Sequence, residues 1–451
     1  MPQITPSEEL AALFEQAELL DDETSPARDR LRKLVDQITD LDARVGGRFA
    51  NPDEQLRLLH LRARSGRFLY QLGELDRAIA DGRALVADGQ RLLGPDHPDT
   101  LVFCNNLASL YRAAGRLDEA IALQEHTLMA AQRRLGPTHL DTLGYCNNLA
   151  CAYQAAGRTD EARPLFEHTL ADRERLLGAD HPVTRVSRNN LADACCAAKQ
   201  FDRAIGLYAT TLDSCERTLG VNQLRTLVAR DNLAGALRAA GSHDEAILLY
   251  RCTLAAREHL LGPDDPTTIA SRGVLADACY AAGRNDEAVT IYEHTLNDAR
   301  HILGPRHAST LAYEDSLACA YQIAGRLADA LPLYEHALTG REQLLGPEHP
   351  DTLASRNDLA VAYHVAGRID EAIVLYERTL AARERVLDAD SIDTLANRSD
   401  LAHAYRAVGR LVEAIVLFRR AATDCRRLLG PEHPTTQTLE QNLADTRAQV
   451  R

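Results

Sequence analysis

Apolar residues recur along this chain with the spacing of an α-helix, and glycine or proline separates one helical stretch from the next. Between residues 98 and 113 one helical face carries Leu101, Leu107, Leu110 and Tyr111. Pro98 suits the first turn of this helix, because a helix needs no backbone donor there. Gly115 suits the position after its end. The pattern predicts a helix over 98–113.

A second helix is predicted directly after the first. Asp118 and Glu119 stand at its start, where acidic side chains interact favourably with the helix dipole. Its apolar face carries Ala120, Leu123, Thr127 and Leu128. The helix is expected to end near Leu135-Gly136. The small Ala120 would let the two helices pack closely.

This two-helix pattern repeats with a step of 42 residues. The Leu-Gly pair recurs at 93–94, 135–136, 177–178, 219–220, 261–262, 303–304, 345–346 and 429–430, and Leu387-Asp388 holds the same place. One threonine per repeat keeps its position: Thr100, Thr142, Thr184, Thr226, Thr268, Thr310, Thr352, Thr394 and Thr436. A single helix pair cannot bury its apolar face, whereas stacked pairs bury a continuous one. The sequence therefore predicts an all-α solenoid.

The repeat also sets the predicted domain organisation. Nine repeats, the first degenerate, occupy residues 51–430, and a polar capping helix follows in 431–451. Residues 1–50 lie outside the repeat and predict two helices, over 7–20 and 26–44. They are interpreted as an N-terminal cap or, alternatively, as a separate docking element.

The residues of each repeat resemble a known family. Leu107-Ala108, Tyr111, Gly115, Glu119-Ala120 and Thr127-Leu128 resemble the tetratricopeptide repeat. The step of 42 residues, with "NNLA" and "LGPDHPDT", is similar to the kinesin-light-chain type of that repeat. The resemblance implies a right-handed superhelix whose first helices line a concave groove. It also implies that the groove holds a peptide or a partner protein.

Paired asparagines stand inside the first helices, although asparagine is a poor helix former. The stretch "CNNLASLY" at 104–111 returns as "CNNLACAY" at 146–153 and "RNNLADAC" at 188–195. In the resembled family this stripe faces the groove. A carboxamide both donates and accepts hydrogen bonds, so a row of them could hold the backbone of an extended peptide. Alternatively, the amides hydrogen-bond the neighbouring helix and set the stacking angle.

The predicted ligand contacts combine these amides with charged neighbours that would choose among peptides. The amides are Asn105, Asn106, Asn147, Asn148, Asn189, Asn190 and Asn232. The charged residues are Arg112, Asp193, Asp231 and Arg238. The predicted function is a protein-interaction scaffold that binds a peptide or protein segment in the groove. The alternatives are a peptide-sensing regulatory receptor and an enzyme, or accessory subunit, with a pocket in the groove.

Two further rows of polar residues have structural and functional interpretations. Arginine precedes the asparagine positions at Arg188, Arg230, Arg272, Arg356 and Arg398. These arginines either bind an acidic ligand or pair with acids of adjacent helices, such as Asp172 and Glu174. Histidine recurs in the loops, where equivalent residues are too far apart to share a metal ion. One alternative remains for metal binding or acid–base chemistry, a mixed cluster of His364, His403, Asp358 and Asp400. The sequence prediction itself includes no metal site and no cofactor.

Composition and charge exclude further classes of function. The formal net charge of −14 argues against binding nucleic acid or an anionic membrane surface. The first 22 residues do not resemble a signal peptide, no apolar stretch is long enough to span a membrane, and the ten cysteines form no C-x-x-C pair. The predicted location is the cytoplasm. Nucleotide-binding, serine-hydrolase and zinc-protease motifs are absent from the sequence, which favours a protein that is not an enzyme.

Overall fold

The all-α solenoid predicted from the repeat is confirmed by a computed structural model, which describes residues 5–22, 28–46, 49, 51–386 and 391–450. Every regular element among these residues is a helix, and there are 21 of them. The chain divides into an N-terminal unit, residues 1–221, and a C-terminal unit, residues 222–451. Each unit is a stack of helix pairs.

The N-terminal unit holds ten helices. They are α1 Pro6–Asp22, α2 Arg28–Val45, α3 Pro52–Leu72, α4 Leu75–Leu92, α5 Pro98–Ala113, α6 Leu117–Leu135, α7 Leu140–Ala155, α8 Thr159–Leu177, α9 Pro182–Ala197 and α10 Phe201–Leu219. From α3 onward, the odd-numbered helices are the first helices of the repeats and the even-numbered helices are the second helices.

The C-terminal unit continues the same alternation within its described residues. Its helices are α11 Leu224–Ala239, α12 His243–Leu261, α13 Pro266–Ala281, α14 Asn285–Ile302, α15 Ala308–Ile323, α16 Leu327–Leu345, α17 Pro350–Val365, α18 Ile369–Val386, α19 Ile392–Ala407, α20 Leu411–Leu429 and α21 Pro434–Val450. The position of Leu387-Asp388 in the repeat lies outside the described residues.

Local sequence signals fix where the first helices begin and end. The predicted helix over 98–113 is confirmed as α5. His97 caps it, because its Nδ1 accepts a hydrogen bond from the Asp99 backbone amide at 3.3 Å. Loop histidines cap five further first helices in the same way: His139, His181, His307, His349 and His433. The histidine of each such loop is therefore a helix cap.

A left-handed residue ends most first helices. Gly115 has φ 71°, which glycine adopts without the steric penalty of a side chain. Lys199 stands at the equivalent place after α9 and has φ 57°, as the one non-glycine residue with positive φ in the described chain. The backbone therefore adopts the same left-handed conformation even where lysine replaces the glycine.

The core of each repeat forms where small residues let the helices approach. Ala120 and its equivalents are fully buried, and so is the recurring threonine, as Thr100 and Thr352 show. Within each unit the first helices of successive repeats also contact one another, as α5 and α7 do. The first-helix side is therefore the inner side of the stack in each unit.

The N-terminal helices α1 and α2 pack against α3, the first helix of the repeats. Leu10, Leu13, Leu31 and Leu34 are buried, and they belong to one apolar cluster with Phe68 of α3. Two helices are thus present in residues 1–50, as expected, with α2 beginning at Arg28. Most of the predicted break between them lies outside the described residues. No helix of the described chain is both long enough and apolar enough to cross a membrane.

Buried arginines join successive repeats. Arg188 is 2% exposed and donates to Glu174 Oε1 of the preceding second helix at 2.7 Å. Arg356 donates in the same way to Glu342 at 2.6 Å. Arg272 and Arg398 pair both with the preceding second helix and with the following one. For these four residues, pairing with acids of adjacent helices is confirmed.

Candidate functional site

The paired asparagines of the N-terminal unit lie on the inner side of three first helices. Asn105 and Asn106 belong to α5, Asn147 and Asn148 to α7, and Asn189 and Asn190 to α9. Because each helix repeats the same register, the six carboxamides form a row across the unit. We call this row, from Asn105 to Asn190, the amide surface.

Hydrogen bonds between the amides join neighbouring first helices. Asn148 Nδ2 donates to Asn105 Oδ1 at 2.8 Å, and Gln124 Nε2 donates to the same oxygen at 3.0 Å. One repeat further, Asn190 Nδ2 donates to Asn147 Oδ1 at 3.0 Å. The second asparagine of one repeat thus bonds to the first asparagine of the repeat before it. The amides therefore do set the contact between helices.

The two asparagines of a pair differ in exposure. Asn147 is 7% exposed and its oxygen is already bonded, so a ligand on this surface does not reach it. Asn106 is exposed, whereas Asn148 and Asn190 are half-buried and each uses one amide hydrogen for the neighbouring helix. A carboxamide has two donor hydrogens and two acceptor sites, so Asn148 and Asn190 keep further hydrogen-bonding capacity. The second asparagine of each pair is the one that a ligand could contact.

An apolar pocket with a basic rim adjoins the amide surface. It has a volume of about 460 Å³ and lies between α3, α4 and α5. Leu85, Phe103 and Leu107 supply apolar walls, while Asn106 and Arg112 contribute polar groups. The sequence-predicted residues Asn106 and Arg112 therefore line one cavity.

Asp193 occupies the same inner side on α9. The Tyr208 hydroxyl of α10 donates a hydrogen bond to its carboxylate. Burial raises the pKa of Asp193, and the Tyr208 bond opposes that rise. Water still reaches the side chain, so Asp193 remains accessible to a basic ligand group.

In the C-terminal unit the predicted residues make internal contacts of their own. Asp231 pairs with Arg257 Nη2 of α12 at 2.7 Å, and both side chains are largely buried. Its predicted role of binding a basic ligand therefore competes with this ion pair. Asn232 lines a cavity of about 300 Å³ with Asp231, while Arg238 is exposed near Tyr250.

Sequence reasoning did not find the arginines that reach this inner side from the second helices. Arg257 pairs with Asp231, and Arg341 pairs with Asp315. A signal was present, because arginine recurs at the same register at 173, 257, 341 and 383. The helical pattern alone places these residues near a helix end and does not show that they turn inward.

Carboxylates accumulate on the inner side of the last repeats. Burial raises the pKa of Asp315, Asp358 and Asp400. For Asp358 the pKa rises to about 6, because burial and the nearby Asp315 carboxylate both disfavour its ionised form.

Replacing Asp358 by asparagine is expected to stabilise the protein at pH 7.5 and to leave stability unchanged at pH 4. A folded-state pKa of about 6 exceeds the unfolded value of 3.8, so the ionised group destabilises the fold increasingly from pH 4 to pH 6. Two pKa units correspond to about 3 kcal/mol, and solvent screening at this accessible site reduces the effect to about 1 kcal/mol. Urea unfolding at both pH values measures the difference. An equal effect at pH 4 would contradict the prediction.

The mixed cluster of the last repeats offers no metal site. His403 Nδ1 lies 3.0 Å from an Arg406 nitrogen, and its Nε2 lies 3.4 Å from Asn442 Nδ2. Both ring nitrogens therefore face nitrogen atoms. Among the residues that the structure describes, no group of three or more histidine, cysteine or acidic side chains is arranged to hold a metal ion.

Comparison with known families identifies the repeat. Models described as "Tetratricopeptide repeat" match residues 55–128, 101–175, 145–217, 186–259, 224–301, 267–343, 310–385 and 394–435. The chain belongs to the tetratricopeptide repeat family. It is therefore a scaffold of the kind that carries protein interactions, and the resemblance inferred from the sequence is confirmed.

Solved structures similar to this tetratricopeptide repeat protein include a putative kinesin light chain and the protein BtubC. A putative kinesin light chain from Podosopora anserina is 31% identical, with 45% of this chain and 95% of that chain covered and a TM-score of 0.42. BtubC from P. vanneervenii is 23% identical, with 52% and 94% covered and a TM-score of 0.47.

A third structure shares the fold over most of this chain. It is a signal transduction ATPase with numerous domains and a tetratricopeptide repeat sensor, from Pyrococcus horikoshii. It is 12% identical, with 94% of this chain and 56% of that chain covered and a TM-score of 0.51. A search of curated proteins found no significant match.

Proposed function

We propose that the protein holds an extended peptide segment of a partner protein along the amide surface of its N-terminal unit. The observation that carries the proposal is the row formed by Asn106, Asn148 and Asn190. These three side chains stand at the same register of successive first helices; Asn106 is exposed, and Asn148 and Asn190 are half-buried. The bonds from Asn148 and Asn190 to the neighbouring helix fix the orientation of their amides before a ligand arrives.

The spacing of the row suits an extended chain. Packed helices lie about 8–10 Å apart, and an extended peptide advances about 3.3 Å per residue. One amide therefore meets about every third residue of the peptide. Because each amide offers both donor and acceptor groups, it bonds the peptide backbone regardless of the side chain. Pre-oriented amides lose less conformational entropy on binding than mobile ones.

Charged residues beside the row would select among peptides. Arg112 favours an acidic residue near Asn106, and Asp193 favours a basic residue near Asn190. Apolar walls in the cavity beside Asn106 would accept an apolar side chain. We also propose that residues 1–50 cap the stack, since α1 and α2 bury their apolar faces against α3.

Replacing Asn106, Asn148 and Asn190 together by alanine is expected to weaken peptide binding at least tenfold. The change removes three sets of backbone hydrogen bonds, each worth about 0.5–1.5 kcal/mol. Peptides would first be selected on the full chain from a displayed library of random dodecamers, and their dissociation constants then measured by calorimetry.

Two control variants separate ligand contact from stacking. Asn106→Ala alone removes an exposed amide, so it should weaken binding without lowering the melting temperature, since alanine is the better helix former. Asn297→Ala, on the exposed face of α14, makes the same change of helix propensity and should leave binding unchanged. The proposal is wrong if the triple variant melts at a lower temperature but binds the selected peptides with unchanged affinity.

A further inference from the structure

A buried guanidinium without a carboxylate partner lies beneath the amide surface. Arg173, near the end of α8, is 6% exposed. Its Nη1 donates to Ser187 Oγ at 2.6 Å, while its Nε has no hydrogen-bond partner. Among the residues that the structure describes, no carboxylate forms an ion pair with Arg173. Buried charges are normally paired, so this arrangement requires an explanation.

Two of the three other repeats with an arginine at this register show an ion pair that Arg173 lacks. Arg257 and Arg341 occupy the same register and also donate to a serine of the following first helix, Ser271 and Ser355. Each of them additionally pairs with an aspartate, Asp231 for Arg257 and Asp315 for Arg341. In the third, Arg383 donates to the backbone carbonyl of Asp393, and Asn357 stands where the aspartate would be.

The equivalent of these aspartates in the repeat of Arg173 is Asn147. Its amide is neutral, and its oxygen already accepts a hydrogen bond from Asn190. Burial lowers the pKa of the Arg173 guanidinium, as expected for a cation removed from water. Arg173 therefore keeps the serine contact of its counterparts but lacks their counter-charge.

A pocket opens over this guanidinium. It has a volume of about 420 Å³, and Arg173 lines it together with Asn105, Asn148, Gly144 and Tyr145. Asn105 and Asn148 belong to the amide surface, so the pocket is continuous with that surface. The pocket thus offers the Arg173 cation and the Asn148 amide to one ligand group, while the Asn105 oxygen already accepts hydrogen bonds from Asn148 and Gln124.

Gly144 keeps the pocket open. Neighbouring repeats carry Val102 and Val186 at this register. The one atom that a Cβ at Gly144 would meet within 4 Å is Arg173 Nη2, at 3.8 Å. Glycine inside a helix is less stable than alanine, so the stability of α7 does not explain why glycine stands at position 144. The effect of this glycine is to leave the guanidinium uncovered.

One carboxylate of the protein, that of Asp141, also lines this pocket. Its side chain is 63% exposed and lies 3.6 Å from His139 Nδ1, at the start of α7. Asp141 therefore remains in water near the pocket mouth and leaves the guanidinium uncompensated.

We propose that this pocket binds a carboxylate group of the peptide, which supplies the counter-charge that Asp231 and Asp315 supply elsewhere. The carboxylate belongs to an acidic side chain or to the peptide C-terminus. Guanidinium groups bind carboxylates with two parallel hydrogen bonds, and burial strengthens the interaction. This inference rests on the proposed peptide-binding function and adds a requirement for one acidic group.

Substitution of Asn147 by aspartate provides a first test, because it places a carboxylate where the repeats of Arg257 and Arg341 have one, in Asp231 and Asp315. Asn147→Asp is expected to raise the melting temperature of the full chain by about 2–4 °C. Arg173→Met removes an uncompensated charge and should leave the melting temperature unchanged or higher. Arg257→Met, the matched control, removes a paired charge and should lower it. Equal losses in Arg173→Met and Arg257→Met would overturn the proposal.

Anion binding is tested with acetate as the probe. Replacing sodium chloride by sodium acetate at constant ionic strength should raise the melting temperature of the wild-type chain and of Arg257→Met. The rise should be smaller in Asn147→Asp and Arg173→Met, which keep only the general stabilisation that acetate gives proteins. An equal acetate effect in all four proteins would show that acetate acts elsewhere and would overturn the proposal.

A peptide measurement distinguishes the source of the carboxylate and separates this inference from the proposed function. Selected peptides would be compared with versions amidated at the C-terminus and with versions carrying glutamine for glutamate and asparagine for aspartate. One of these changes should weaken binding at least tenfold in the wild type and have no effect in Asn147→Asp. If neither change weakens binding while Asn106→Ala still does, the carboxylate subsite is wrong and the peptide surface stands.

Discussion

Replacing Arg398 by alanine is expected to lower the free energy of unfolding by about 3 kcal/mol. Arg398 is fully buried in α19, and its guanidinium donates to Glu384 of α18 at 2.9 Å and to Asp424 of α20 at 2.7 Å. The substitution leaves a cavity and two carboxylates without their shared partner. Because these carboxylates are 30% and 19% exposed, water compensates them partly, which keeps the effect near the lower end of the range for buried ion pairs.

Arg420 provides the matched control for Arg398. It pairs with the same Glu384, at 3.2 Å, but its side chain is 54% exposed. Exposed ion pairs contribute about 0–1 kcal/mol, so Arg420→Ala should change stability little. Urea unfolding followed by circular dichroism compares both variants with the wild type. Similar losses for the two substitutions would show that burial of Arg398 is not what makes its pairing important.

The second large effect is expected from an added methyl group. Gly340→Ala should lower the free energy of unfolding by about 1–2 kcal/mol, since overpacking a core typically costs about 1–3 kcal/mol. Gly340 lies in α16, where a Cβ would stand 2.6 Å from Leu311 Cδ2 of α15. Leu311 is fully buried, so it cannot turn away into water. The helical preference of alanine offsets part of this cost.

The same substitution at Gly206 should have the opposite sign. Gly206 lies inside α10, and a Cβ there would meet no atom within 4 Å. Alanine is more favourable than glycine in a helix by about 0.5–1 kcal/mol, so Gly206→Ala should raise stability by about that amount. Thermal and urea unfolding of the two variants give the comparison. A stabilised Gly340→Ala would mean that α15 and α16 separate easily to admit the methyl group.

Arginines and asparagines both join successive repeats, but they differ in the hydrogen-bonding groups that remain available to a ligand. Arg188, Arg272, Arg356 and Arg398 pair with carboxylates of adjacent helices, so those positions serve the stack. An amide uses only part of its hydrogen-bonding capacity for the contact with the neighbouring helix. Asn148, for example, donates one of its two amide hydrogens to Asn105. In the N-terminal unit one row of residues can therefore stabilise the stack and still bond a peptide.

The sequence by itself determined the helices and the repeat. Within one repeat the apolar face, the Pro98 start and the Gly115 end are local signals, and each acts through the backbone of its own helix. The same is true of His97, whose ring caps the helix that follows it. Since these interactions span a few residues, the repeat pattern was enough to predict all of them except the histidine caps.

The tertiary structure decided which polar residues remain for a ligand. The bond from Asn148 to Asn105 joins residues 43 positions apart, and the ion pair of Arg257 with Asp231 crosses between two helices. Whether such groups meet depends on the angle at which helices stack and on the rotamer of each side chain, which the spacing of residues does not specify. The sequence therefore placed Asn106, Asn147 and Asp231 in one stripe, and packing left the first exposed, buried the second and paired the third.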